Sequence, residues 1–194
     1  LAEGLRGEGD PEAYICSVYV QVTAPYAKRL ATWHALADAF ALMELCGLHA
    51  VPVQHWSARA RHDTNRSLWL GFVLDSAEGP LLFPGDSGLG PEFKLINQRF
   101  GPLRFAALPI GAYAPRWFMR DNHMNPDDAV QAHQQLASQC SMAIHFGTFN
   151  LSDEEQFAPP QELAKALAER QVPANEFRPP KPGEQWQIPV LARV

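Results

Sequence analysis

Leu81 to Gly90 reads LLFPGDSGLG, an apolar run that breaks on a glycine-rich turn. Three apolar residues run into Pro84, and Gly85-Asp86-Ser87-Gly88 follows. A short apolar run bounded by turn residues reads as a buried strand, and Gly-Asp-Ser-Gly as a tight turn. The Asp86 carboxylate therefore stands at the end of a strand. Two other stretches repeat the form. Val51 to Arg59, VPVQHWSAR, ends an apolar run on His55, and Met142 to Phe149, MAIHFGTF, ends one on His145. Three strand ends thus each carry one side chain able to ligate a metal.

Working outward, Leu48 to Val53 is expected as a strand, 57–66 (SARARHDTNR) as a loop, and Leu68 to Leu74 as a strand turning back into Leu81 to Phe83. Residues 91–99 open with Pro91 and predict a short helix. Phe105 to Ile110 predicts a strand, and Gly111 to Asn125 an irregular, aromatic and basic segment. Pro126 to about Gln139 is expected as a helix, with Asn125 as cap and Asp127 and Asp128 in the first turn, where the helix dipole favours them. Ser141 to His145 is the last expected strand and 161–171 the last helix. From Val172 a tail rich in proline (Pro173, Pro179, Pro180, Pro182) reads as extended. Before all this, Tyr14 to Val22 predicts a strand and 25–46 an amphipathic helix, with His34 structural beside Trp33.

Composition limits the partners. The 194 residues suit about one domain, and 46% hydrophobic content can form a sizeable core. A formal charge of −5 without a basic stripe argues against nucleic acid. No apolar run approaches the roughly 20 residues of a membrane helix. Cys16, Cys46 and Cys140 lack CxxC spacing and read as ordinary thiols of a reducing, cytoplasmic compartment. Neither GxxxxGK[ST] nor GxGxxG occurs, so nucleotide binding has no motif support. GDSG occurs in serine proteases, but no second protease signature accompanies it.

A hydrolytic metal site draws ligands from several strand ends onto one point and leaves a position for water. Taken alone, a histidine after a strand is more often structural, and an aspartate in such a turn more often a turn former. Their joint occurrence at three strand ends makes His55, Asp86 and His145 the candidate ligands. His123, just before a helix start, is a candidate proton donor or anion contact. Arg116 and Trp117 are candidates for an anion-binding or substrate wall.

FPGDSGLGPEFKLINQRFGPLRFAALPIGAYAPRWFM, HMNPDDAVQAH, SMAIHFGTF and QHWSAR resemble the N-acyl-phosphatidylethanolamine-hydrolysing phospholipase D group, a branch of the metallo-β-lactamase superfamily. Some bacterial members of the branch carry the label outer membrane protein RomA. The resemblance covers about residues 48–171. It implies an α/β fold, the C-terminal half of an αβ/βα sandwich. It implies His55, Asp86 (bridging) and His145 as zinc ligands, with His123 near the substrate phosphate. The implied reaction is attack of a metal-activated water on a phosphodiester of a phospholipid. Members of the group hold two zinc ions, and their other ligands come from an HxHxDH motif upstream. Residues 1–54 contain none, and 1–47 do not follow the family pattern.

The expectation is thus three regions: 1–47 outside the pattern, 48–171 metallo-β-lactamase-like, and 172–194 a tail. The chain starts at Leu1 and is expected to be a fragment, or to carry a shifted reading frame or a wrong start in 1–47, to hold at most one zinc, and to be incomplete as a catalyst. A half sandwich would leave an apolar sheet face open, and the 25–46 helix is its candidate cover. The alternative expectation is a non-catalytic, envelope-associated protein of the same ancestry, contacting membrane peripherally.

Overall fold

The computed structural model describes residues 47–66 and 69–191. The expected strand at 14–22 and helix at 25–46, with His34, lie outside the described residues. The chain divides into two compact units, Leu1–His49 and Ala50–Val194, and every candidate site residue lies in the second.

Six strands form one sheet in the order β1 to β6: β1 (Leu48–Pro52), β2 (Leu70–Leu74), β3 (Leu81–Phe83), β4 (Phe105–Pro109), β5 (Cys140–Ile144) and β6 (Phe177–Arg178). The turn at 77–80 makes β2 and β3 an antiparallel pair, with Val73 opposite Leu82. From β3 onward all pairs are parallel. Parallel neighbours require crossovers, and helices supply them. These are α1 (Glu92–Phe100), the short α2 (Arg116–Met119), α3 (Pro126–Gln135) and α4 (Ala158–Glu169).

Alternation along the strands sends Val73, Leu82, Ala106, Leu108 and Ala143 into one core. Phe93 and Ile96 of α1, Ala129 and Val130 of α3, and Leu163 and Leu167 of α4 close over them. β4 lies mid-sheet, so four of its five residues are buried, as for a strand covered on both sides. Phe83 of β3 is 55% exposed, and its strand neighbour Leu82 only 1%.

The start of α3 follows the expected chemistry. Asn125 Oδ1 accepts from the Asp128 amide, and the Asp128 carboxylate accepts from the Asn125 amide, a reciprocal cap. The helix stops at Gln135, short of the expected Gln139. Ala137 turns to φ 45°, and the Gln139 amide donates to Leu103 O, where the chain reverses into β5. α4 starts at Ala158, three residues before the expected 161, with prolines in its first turn. The tail is not wholly extended: the Glu176 amide donates to Pro173 O and the Glu184 amide to Lys181 O in turns, and between them the extended Phe177–Arg178 pairs with Ser141 and Met142 as β6. Further along, Arg104 donates to Ile188 O and Pro189 O and pins the tail.

Candidate active site

The site sits where β3, β4 and β5 end and the 54–56 segment arrives beside them. Its hub is Ser87-Gly88. The Gly88 amide donates to Gln54 O at 2.8 Å, and the Gln54 amide donates to Ser87 Oγ at 3.0 Å. The fully buried Ser87 hydroxyl in turn donates to Gly88 O. His55 is thereby clipped onto the turn that carries Asp86. Ser87 O accepts from the Met124 amide, and Gln54 Nε2 donates to Asp121 O, so the 121–124 segment is clipped to the same point. A Cβ on Gly88 would lie 2.5 Å from Asp121 O, which explains glycine there.

His145 follows β5 with φ 61°, a left-handed backbone. Gly111 at the end of β4 packs so close that a Cβ would stand 2.1 Å from His145 O. The loop after Gly111 is held by Glu154, whose two carboxylate oxygens accept from the Ala112 and Ala114 amides at 2.7 and 2.9 Å. Ser152 Oγ donates to the same carboxylate at 2.6 Å. Burial alone would raise the Glu154 carboxyl, but the hydrogen bonds from Ser152 and the backbone amides outweigh it and hold it below the usual carboxylate range.

These constraints bring the four candidates together. His145 Nε2 lies 3.4 Å from Asp86 Oδ1. His55 Nε2 lies 3.4 Å from His123 Nε2. The His123 and His145 rings stack with centroids 5.5 Å apart. His55 Nδ1 faces Trp56 O at 2.8 Å. A carbonyl only accepts, so Nδ1 donates to it and the other ring nitrogen, Nε2, is the one that faces the cluster. Burial, then the His55 and His145 imidazoles, push His123 down to about 4 against the pull of Asp86 and Glu154. His123 is therefore neutral at neutral pH.

The donor set suits a borderline cation: neutral imidazoles and one carboxylate are zinc ligands by type. The Nδ1 atoms of His123 and His145 are buried without a hydrogen-bond partner, and the Nε2 atoms of His55 and His123 lie within 3.4 Å of each other. Among the described residues no three donors are already drawn in around a single metal position.

Arg116 does not form an open anion-binding wall. It turns inward, donating to His123 O at 2.9 Å and to Asp128 Oδ2 at 2.6 Å, and so ties the His123 segment to the start of α3. Trp117 beside it is 83% exposed. Asp128 is more than a dipole charge, since it caps α3 and anchors Arg116. Asp127 receives both Nε and an Nη of Arg170, joining α3 to α4. Sequence reasoning missed Ser87, Glu154 and Trp69. Only Ser87 had a local signal, its place inside the glycine turn.

Residues 13–146 match the family described as beta-lactamase superfamily domain, and the chain belongs to that family. The matched span includes residues 13–47. The chain is 38% identical over 140 residues to N-acyl-phosphatidylethanolamine-hydrolyzing phospholipase D 1 of Caenorhabditis elegans, covering 71% of this chain and 39% of that protein. It is 34% identical over 100 residues to outer membrane protein RomA of Klebsiella pneumoniae, covering 52% of this chain and 74% of that protein. Among solved structures, Igni18, a metallo hydrolase of Ignicoccus hospitalis, superposes with a TM-score of 0.52 at 22% identity, over 77% of this chain and 54% of that one. The fold is therefore metallo-β-lactamase-like, and the chain spans about two fifths of the nematode phospholipase it matches. Among the described residues no helix is long and apolar enough to cross a membrane.

Proposed function

We propose that this chain is the C-terminal portion of a zinc-dependent phosphodiesterase of phospholipase D type. His55, Asp86 and His145 are the metal ligands, and His123 faces the substrate phosphate. The observation that carries the reading is the clustering of these four side chains at adjoining strand ends, with the His55 tautomer fixed so that Nε2 points inward. Bound zinc would supply Lewis acidity toward a phosphoryl oxygen and activate water at neutral pH. Neutral His123 keeps one N–H to donate to a phosphoryl oxygen. The exposed Trp117 and Phe118, on the short helix leading to His123, offer apolar contact to a lipid chain or membrane surface. Region 48–171 supplies one part of the ligand set. With no HxHxDH in residues 1–54, this part by itself holds at most one zinc.

The test is metal analysis of the purified chain beside His55→Ala and His145→Ala, with hydrolysis of an N-acylated phosphatidylethanolamine in vesicles. Up to one zinc per chain, lost in both variants, is the expected result. Zinc content unchanged in both variants would refute the ligand assignment. The 34% identity to a protein labelled an outer membrane protein favours one second reading, a non-catalytic, envelope-associated role. An in vivo effect that survives His145→Ala would select it.

A further inference from the structure

Trp69 stands at the entry to β2, with no donor atom of its own for a metal. Its side chain nevertheless touches two of the proposed ligands at once. The indole Nε1–H donates to Asp86 O at 2.9 Å. The indole ring stacks on the His55 imidazole with centroids 4.4 Å apart and planes at 29°. The His123 ring also stands edge-on to His55, with centroids 5.1 Å apart. His55 Nδ1 is already engaged by Trp56 O. Stacking restricts rotation about the last side-chain bond of His55, and the Nδ1 contact sets which nitrogen points inward. The Asp86 carbonyl, held by the indole, fixes the turn from which the carboxylate projects.

We propose that Trp69 is a positioning residue that holds His55 and Asp86 in mutual register for metal capture. The proposal rests on the metal reading of those two residues. Ligands held in place before the metal arrives lose less freedom when it binds, and groups that orient ligands contribute strongly to affinity. Trp69 is 37% exposed, so its burial in a core does not account for these contacts. It acts through the ligands and does not itself touch substrate.

The experiment is titration of the purified full chain with cobalt(II), reading affinity and the visible absorption bands that report ligand geometry. Trp69→Leu, which removes both the ring face and the donor, is expected to weaken binding about 10–100-fold and to alter the bands. Trp69→Phe keeps a stacking face and loses one neutral hydrogen bond, an expected loss of about five-fold. Trp186→Phe, whose indole packs on Phe105 and Arg178, leaves both readouts unchanged. If His55→Ala abolishes binding while Trp69→Leu matches the unaltered chain in affinity and bands, the positioning role is overturned and the metal reading stands. If His55→Ala binds cobalt as the unaltered chain does, the metal reading itself fails. Should Trp69→Leu not fold, Trp69→Phe decides, and unchanged affinity and bands there overturn the proposal.

Discussion

Replacing Gly88 with alanine tests whether the three clipped segments must meet as closely as they do. An added Cβ would stand 2.5 Å from Asp121 O, 2.7 Å from Asp121 C and 2.9 Å from Arg120 O. All three are backbone atoms, so no side-chain rotation relieves the overlap. Restoring the first contact to an ordinary 3.4 Å moves the Asp121 carbonyl by about 0.9 Å. That exceeds the roughly 0.5 Å within which a functional constellation tolerates displacement. Asp121 O also receives Gln54 Nε2, and Gln54 adjoins His55, so the shift loosens His55 and His123 together. Overpacking of this kind costs about 1–3 kcal/mol, and the lost alignment about 10–100-fold in zinc affinity. Gly101→Ala is the matched control. At φ 77° and ψ −168°, a region open essentially to glycine alone, with nothing within 4 Å of the new Cβ, it carries backbone strain of about 1–3 kcal/mol and leaves the donors where they are. Urea unfolding and zinc competition titration read the two quantities. Gly88→Ala with unchanged stability and unchanged zinc affinity would refute the close-approach argument.

His133 is 4% exposed, donates or accepts through Nδ1 at Ser141 Oγ (2.8 Å), and is pushed down to about 4 by burial. Burial outweighs the Glu176 carboxylate 3.9 Å from Nε2, which is itself 42% exposed. Its ordinary value near 6.5 applies when unfolded, so between pH 6.5 and 4 the unfolded chain binds the extra proton. Stability must then fall with acidification by up to about 1.4 kcal/mol per pH unit. His133→Gln is expected to remove about one proton from the slope of unfolding free energy against pH; an identical slope would count against the buried neutral imidazole. Glu154→Ala leaves the Ala112 and Ala114 amides without their acceptor, for an expected loss of about 1–3 kcal/mol in urea unfolding and faster amide exchange across 111–114. Unchanged exchange there would show that Glu154 does not hold the loop.

Much of the sheet was readable because apolar runs ended on turn residues. β3 and its Gly-Asp-Ser-Gly turn, the hairpin with β2, and the capped start of α3 each follow from local chemistry. The losses have physical causes. β6 is two residues in a proline-rich stretch, and only the adjacent edge of β5 makes it a strand. α3 ends early because its chain must reach Leu103 O and begin β5, a demand made from outside the helix. Arg116 reads as a free cation in sequence. Its partners, His123 O and Asp128, are 7 and 12 residues away and meet it only in the fold.

The places of the donors along the chain are legible in residue order. His55, Asp86 and His145 each terminate an apolar run, and that follows from side-chain order alone. The tertiary structure decided what those positions do to one another. Ser87-Gly88 draws Gln54 and Met124 to one point through hydrogen bonds that, the Ser87 hydroxyl aside, run from backbone to backbone and leave no mark in residue type. The fold sets the His55 tautomer, the neutral state of His123 and the placement of Trp69. Each depends on which carbonyl, ring or buried surface arrives next to a side chain, and proximity across the fold is not encoded in local pattern.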